Sequence, residues 1–227
     1  MSLPAWRIFA DVPALVTQLA DALCRVADEA IVARGAFHLV LAGGCTPQAL
    51  YRELAKRNAG NAHWHIWYGD ERCLPVADPA RNSRMAETAW LAGSTIPPSQ
   101  RLAIPAELGA REAAQQYQAR LVGVDDFDLA LLGIGEDGHT ASLFPGQVWD
   151  GAYVLAVQDA PKPPSERVSL SASRLSRSRR VWFVVTGVEK RDAIARWKRG
   201  ERLPASTVSG IKETVVWLEQ AVIKPDQ

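Results

Sequence analysis

Seven short apolar runs, each stopped by glycine, proline or charge, leave this chain few folds to choose from. They are FHLVLA (37–42), HWHIWY (63–68), FDLALLGI (127–134), AYVLAVQ (152–158), RVSLSAS (167–173), RRVWFVVTG (179–187) and TVVWLEQ (214–220). Runs of this length read as strands, mostly buried on both faces. Helical patterns lie between them: PQALYRELAKR (47–57), NSRMAETAWLAG (82–93), AREAAQQYQARL (110–121) and EKRDAIARWKR (189–199). Upstream, Asp11 is placed to cap a helix with Pro13 in its first turn, and apolar residues recur at helical spacing as far as Gly35. Strand and helix in alternation predict an α/β fold with a largely parallel sheet covered by helices on both faces. The 227 residues suit one large domain or two small ones, and a single domain over 1–227 is the expectation. The Pro-rich piece PKPPSE at 161–166 reads as a surface loop.

Ligands of open α/β sheets gather where strands end and helices begin, because helix N-termini present free N–H groups there. Four polar segments sit at such places. In the first, Gly43, Gly44, Cys45, Thr46 and Pro47 follow a strand, with Thr46 placed as N-cap and Pro47 at the first helical position. The glycines serve either a tight turn or a backbone cradle for phosphate, and the two readings weigh about evenly on the residues alone. In the second, Asp70, Glu71 and Arg72 follow another strand. Such a triplet is a solvated loop or a working set, with Arg72 suited to an anionic oxygen and either carboxylate to orienting a base.

The third segment, GIGEDGHTASLFPG (133–146), sets His139 behind Glu136 and Asp137 in a glycine-broken loop, where a histidine can serve as general base near neutral pH. Ser142 lies close by, but no G-x-S-x-G elbow accompanies it, so water is the better nucleophile. The glycine spacing echoes a dinucleotide fingerprint without its helix or its distant acid, which argues against a nicotinamide site. In the fourth, Lys190 stands in the first turn of a helix, where its charge opposes the helix dipole. A bound phosphate and an ordinary surface lysine explain it equally well.

Other features mainly exclude. Lys and Arg (26) nearly balance Asp and Glu (25) for a formal charge of +1, so no bulk charge argues for nucleic acid or a membrane surface. Three cysteines without CxxC spacing suit neither a disulfide scaffold nor a structural zinc site. His63 and His65 alone make a poor metal signal, and His38 reads as a packed histidine. The N-terminus lacks a signal-peptide pattern and no window approaches the roughly 20 apolar residues of a membrane span. The expectation is a cytoplasmic protein.

Taken together, LAGGCTPQALYREL, WYGDERCLPV with Asn82 after it, FDLALLGIGEDGHTASLFPG, RVSLSAS, VVTGVEKRDAI and LPAS resemble, in order and along nearly the whole chain, the 6-phosphogluconolactonase family. That family lies in the wider group that includes glucosamine-6-phosphate deaminases. The resemblance implies a three-layer αβα, modified Rossmann-like domain of the deaminase/isomerase-like type that hydrolyses 6-phosphoglucono-1,5-lactone. It implies no metal or organic cofactor. It implies His139 as the base that activates water, Asp70 and Asp137 as the groups that hold His139 and the sugar hydroxyls, and Arg72 with Lys190 on the phosphate or the oxyanion. Gly43, Gly44, Cys45 and Thr46 would cradle the phosphate, with Asn82 and Arg167 as further substrate contacts. Cys45 stands where the family often has serine, and Arg81-Asn82-Ser83 where it often has Ser-Asn-Tyr, so contacts at Arg81 and Ser83 do not carry over. A deaminase relative would follow the histidine with an Ile-Ala-Phe-Asn-Glu-Pro-like run, and this chain has TASLFP at 140–145. The partner implied is a small sugar-phosphate lactone, for a monomer or small homo-oligomer.

Overall fold

The structure, a computed structural model, describes residues 4–147 and 151–223. In chain order its strands are β1 (Ala5–Phe9), β2 (Phe37–Leu41), β3 (Trp64–Tyr68), β4 (Asp70–Arg72), β5 (Phe127–Leu132), β6 (Val154–Val157), β7 (Arg167–Leu170), β8 (Ser178–Val185) and β9 (Glu213–Glu219). The α-helices are α1 (Val12–Arg34), α2 (Cys45–Lys56), α3 (Asn82–Ala89), α4 (Ala110–Arg120), α5 (Ala172–Ser176) and α6 (Arg191–Lys198).

Six strands form one parallel sheet in the order β1-β9-β8-β5-β2-β3. The expected parallel sheet is there, but two of the seven apolar runs are not in it: β7 pairs antiparallel with β6 on one side and β4 on the other in a separate three-stranded sheet. Helices cover both faces of the large sheet. Successive strand residues point to opposite faces, so Trp64 packs edge-on against Trp90 at the end of α3 while Trp67 packs against Tyr117 of α4 on the other side. The Asp11 side chain accepts from the Ala14 N–H at 2.8 Å, the capping its sequence predicts, and Gly35 closes α1 in the left-handed region at φ 79°.

Chain direction places the site. From β2, one place in from the sheet edge, the chain moves outward to the edge strand β3, then returns to β5 on the other side of β2. The loops after β2 and β5 therefore diverge and open a crevice at the carboxyl ends of the strands. Two tyrosines hold this rim from opposite faces. Tyr51 of α2 donates to the Ala42 carbonyl at 2.7 Å and accepts from its N–H at 3.0 Å. Tyr117 of α4 does the same at Tyr68, accepting at 2.9 Å and donating at 3.2 Å.

At the opposite side chains of β2 and β3, His38 and His65 stack at 4.6 Å. Burial, and then the neighbouring His65, push the His38 imidazole down to about 4. The Trp67 indole N–H donates to its Nδ1 at 3.2 Å, which requires that nitrogen unprotonated. In the unfolded chain the ring takes up a proton near pH 6.5 but in the fold it resists until about pH 4, so stability falls as pH drops through that window. His38→Gln should flatten the decline of the urea midpoint between pH 6.5 and 4, removing at most about 3 kcal/mol of pH dependence. An unchanged slope would show that other groups set it.

Candidate active site

The loop after β2 and the loop after β5 face each other across a cavity of ≈ 160 Å³. Gly43, Gly44, Asp70, Arg72, Asn82, Gly135, His139 and Arg167 line it, so most of the residues singled out in the sequence meet at one place.

His139 is held from one side. Its Nδ1 lies 2.5 Å from Asp137 Oδ1, and the same oxygen accepts the His139 backbone N–H at 3.1 Å. Partial burial pushes the Asp137 carboxyl up, but the bonds and charge of His139 outweigh it and hold the group below the usual carboxylate range. A carboxylate at Nδ1 keeps the proton there and leaves the lone pair of the neutral ring on Nε2. The ring also packs on Phe144, 4.7 Å between centroids, and the Arg167 guanidinium lies over the same Phe144 ring.

Among the described residues His139 bonds to Asp137 and not to Asp70, which leaves the sugar hydroxyls as the expected role of Asp70. Asp70 is 7 % exposed, and its Oδ1 accepts from Asn82 Nδ2 at 3.0 Å while Oδ2 accepts the Ser142 hydroxyl at 2.6 Å. Asp70 thus ties the loop after β5 to the start of α3. Glu71 has a structural duty. Fully buried, it accepts the N–H groups of Asn82 (2.7 Å) and Ser83 (2.8 Å) at the start of α3, and that of Arg72 at 2.9 Å. An acid there satisfies helix N–H groups that have no intrahelical partner.

Arg72 and Arg167 stand opposite each other in the β4·β7 register, and both line the cleft. Like charges directly across a strand pair are destabilising unless something negative lies between them. Burial pulls the Arg167 guanidinium below its ordinary value; Asp70 opposes this and Arg72 adds to it. Backbone carbonyls fix both cations: Arg72 donates to Ala80, and Arg167 to Pro164 at 3.1 Å and Lys162 at 2.8 Å.

The phosphate-loop expectation needs correction in one detail. The cap of α2 is Gly44, at φ 106° and ψ 171°, without a side-chain bond, and the helix begins at Cys45. Thr46 is not the cap; its Oγ1 lies 2.6 Å from Thr186 Oγ1 and fastens α2 to the end of β8. Starting two residues early puts Pro47 at the third position, where its missing N–H still costs nothing. Gly43 is required sterically, because a Cβ there would lie 2.0 Å from Asn82 Oδ1. Cys45 is exposed and opens on an adjoining cavity that Arg72 and Asn82 also line. Lys190 lies in a 3₁₀ turn just before α6 and does not line the cleft; its Nζ is 3.8 Å from both Glu136 and Glu189. Sequence reasoning missed Phe144 and gave Ser142 only a nucleophile's role to fail at. No set of three His, Cys, Asp or Glu side chains among the described residues is placed to hold a metal.

Residues 10–217 match the family model described as glucosamine-6-phosphate isomerases/6-phosphogluconolactonase. A 6-phosphogluconolactonase of Mycobacterium leprae is 35% identical over 240 residues, covering 96% of each chain. The crystal structure of a 6-phosphogluconolactonase from Thermotoga maritima superposes with a TM-score of 0.90 at 26% identity, over 96% of this chain and 100% of that one. A monomeric glucosamine-6-phosphate deaminase shares the fold at a TM-score of 0.82 and 19% identity, over 96% of this chain and 98% of its own. With the family model spanning all but the ends of the sequence, the chain belongs to the glucosamine-6-phosphate isomerase/6-phosphogluconolactonase family.

Proposed function

We propose that this chain hydrolyses 6-phosphoglucono-1,5-lactone to 6-phosphogluconate, a step of the pentose phosphate pathway, with His139 as general base. The observation that carries the reading is the Asp137–His139 pair at 2.5 Å in a cleft that also holds the opposed cations Arg72 and Arg167. His139 Nε2 takes a proton from water as the water oxygen attacks the lactone carbonyl carbon. The carbonyl becomes an oxyanion, which collapses and expels the ring oxygen, and the imidazolium returns its proton to that oxygen. Asp137 keeps the ring in the reactive tautomer and stabilises the imidazolium without taking the proton. Arg72 and Arg167 take the phosphate or the developing oxyanion, helped by the N–H groups at the start of α2, where Gly44, Cys45 and Thr46 lie. Asp70, Ser142 and Asn82 form the buried floor beneath.

Residues 1–227 are read as one domain working on a small molecule in the cytoplasm, as a monomer or small homo-oligomer, without nucleic acid or membrane as partner. No helix among the described residues is long and apolar enough to cross a membrane. The deaminase of the same fold is the rival, and TASLFP after the histidine favours the lactonase. Purified protein should open freshly made 6-phosphogluconolactone well above the spontaneous rate and release no ammonia from glucosamine 6-phosphate. The reverse pattern would replace the lactonase by the deaminase.

A further inference from the structure

Behind α3, away from the catalytic cleft, lies a second cavity of ≈ 350 Å³ between that helix, the segment 101–107 and α4. Two ion pairs frame it: Arg81 with Glu107 at 2.7 Å, and Arg101 with Glu87 at 2.8 Å. Backbone carbonyls complete both arginines, Arg81 on Ile104 at 2.8 Å and Arg101 on Ile96 at 2.6 Å. These four side chains are thereby engaged within the protein, Arg81 through its two terminal nitrogens and a 3.5 Å ion pair of its Nε with Glu71.

Three other wall residues do not. Arg84, exposed on α3, has no hydrogen bond or ion pair among the described residues. Arg120 of α4 donates one N–H to the Ala103 carbonyl at 2.8 Å and makes no direct ion pair among the described residues, although its charge reaches Glu107, which already pairs with Arg81. Tyr68 is 2 % exposed, yet its hydroxyl bonds to no group among the described residues, although its own backbone is fully engaged by Tyr117. The phenol of so buried a ring usually finds a partner, and this hydroxyl is left to face the cavity. Burial and the nearby carboxylates Glu71 and Glu87 raise the Tyr68 hydroxyl well above its ordinary value, so it remains a donor.

We propose that this cavity is a second anion site, which takes a small phosphate monoester or inorganic phosphate on the Tyr68 hydroxyl and the Arg84 and Arg120 guanidiniums. Three donors around one hollow, two of them cations without a direct ion pair, match the several acceptor oxygens and double charge of a phosphate group. The volume is at the lower end of the range for small-molecule pockets, about 300–1,000 Å³. Glu87 and Glu107 on the rim offer acceptors for hydroxyls of an attached polyol.

The site does not depend on the activity assigned to the catalytic cleft, so its test can locate an anion directly. Crystals soaked in sodium tungstate, a phosphate-shaped dianion with strong anomalous scattering, should show tungsten within hydrogen-bonding reach of Tyr68 Oη. In the Arg84→Ala/Arg120→Ala protein that peak should vanish while any peak between Arg72 and Arg167 persists. Tungsten absent from Tyr68 in the wild-type crystal, or present there undiminished in the double variant, would overturn the proposal.

Discussion

His139→Ala should lower kcat for fresh 6-phosphogluconolactone by about 10²- to 10⁴-fold, the usual contribution of a positioned general base. KM should move little, because the charges proposed to take the phosphate, Arg72 and Arg167, lie on β4 and β7 rather than on the loop that carries the histidine. The fold should survive, since the ring is only partly buried, with 19% of the side chain exposed, and its one polar side-chain partner is the half-exposed Asp137. The spontaneous opening of the lactone sets the assay floor, so the blank must be subtracted at each pH. Equal excess rates for the variant and the parent would remove His139 as the base and leave the cleft as a binding site only. Asp137→Asn offers a finer cut. An amide at that place no longer fixes the proton on Nδ1, so kcat should fall again while phosphate-dependent affinity holds.

The parts of this site legible in the sequence were those carried by local chemistry. Glycines after a strand, a histidine behind two acids and a proline in a first helical turn all mark their places within a few residues, and the cleft assembles from them. What stayed hidden depends on partners far away along the chain. Ser142 meets Asp70 across 72 positions, and Arg72 faces Arg167 only through the β4·β7 register. Periodicity cannot supply such pairings. Nor did it separate the two sheets: RVSLSAS alternates polar and apolar residues, yet β7 is buried along its whole length, as β5 is, because its polar residues are buried too. β4 was lost for a different reason. Asp70, Glu71 and Arg72 look like a solvated charge run, but the two acids are buried because Asn82, Ser142 and the start of α3 supply their hydrogen bonds. β1, AWRIF, is short and mostly exposed, and its apolar residues do not alternate with polar ones, so nothing marks it as an edge strand.

Gly135→Ala should abolish nearly as much activity as His139→Ala while leaving both His139 and Asp137 in the sequence. A Cβ at Gly135 would lie 2.0 Å from His139 Nδ1, 2.1 Å from Cε1 and 2.6 Å from Asp137 Oδ1. Such distances are far inside van der Waals contact, so the imidazole and the carboxylate cannot keep their present places together. The obstruction meets the ends of two side chains rather than backbone, and Gly135 does not occupy the left-handed region, so the main chain can stay where it is. The Gly135 N–H also bonds the His139 carbonyl at 2.8 Å, a contact that alanine preserves. The denaturation midpoint should therefore shift by no more than a typical surface or loop change, about 1 kcal/mol, with kcat down at least about 10²-fold as expected for loss of a positioned base. A variant that retains full turnover would mean that the ring works from another rotamer, and the 2.5 Å pairing with Asp137 would then be a resting arrangement rather than the reactive one. A variant that fails to fold would instead place the glycine's role in the turn itself, and Gly133→Ala, where an added Cβ meets nothing within 4 Å, is the control that separates the two.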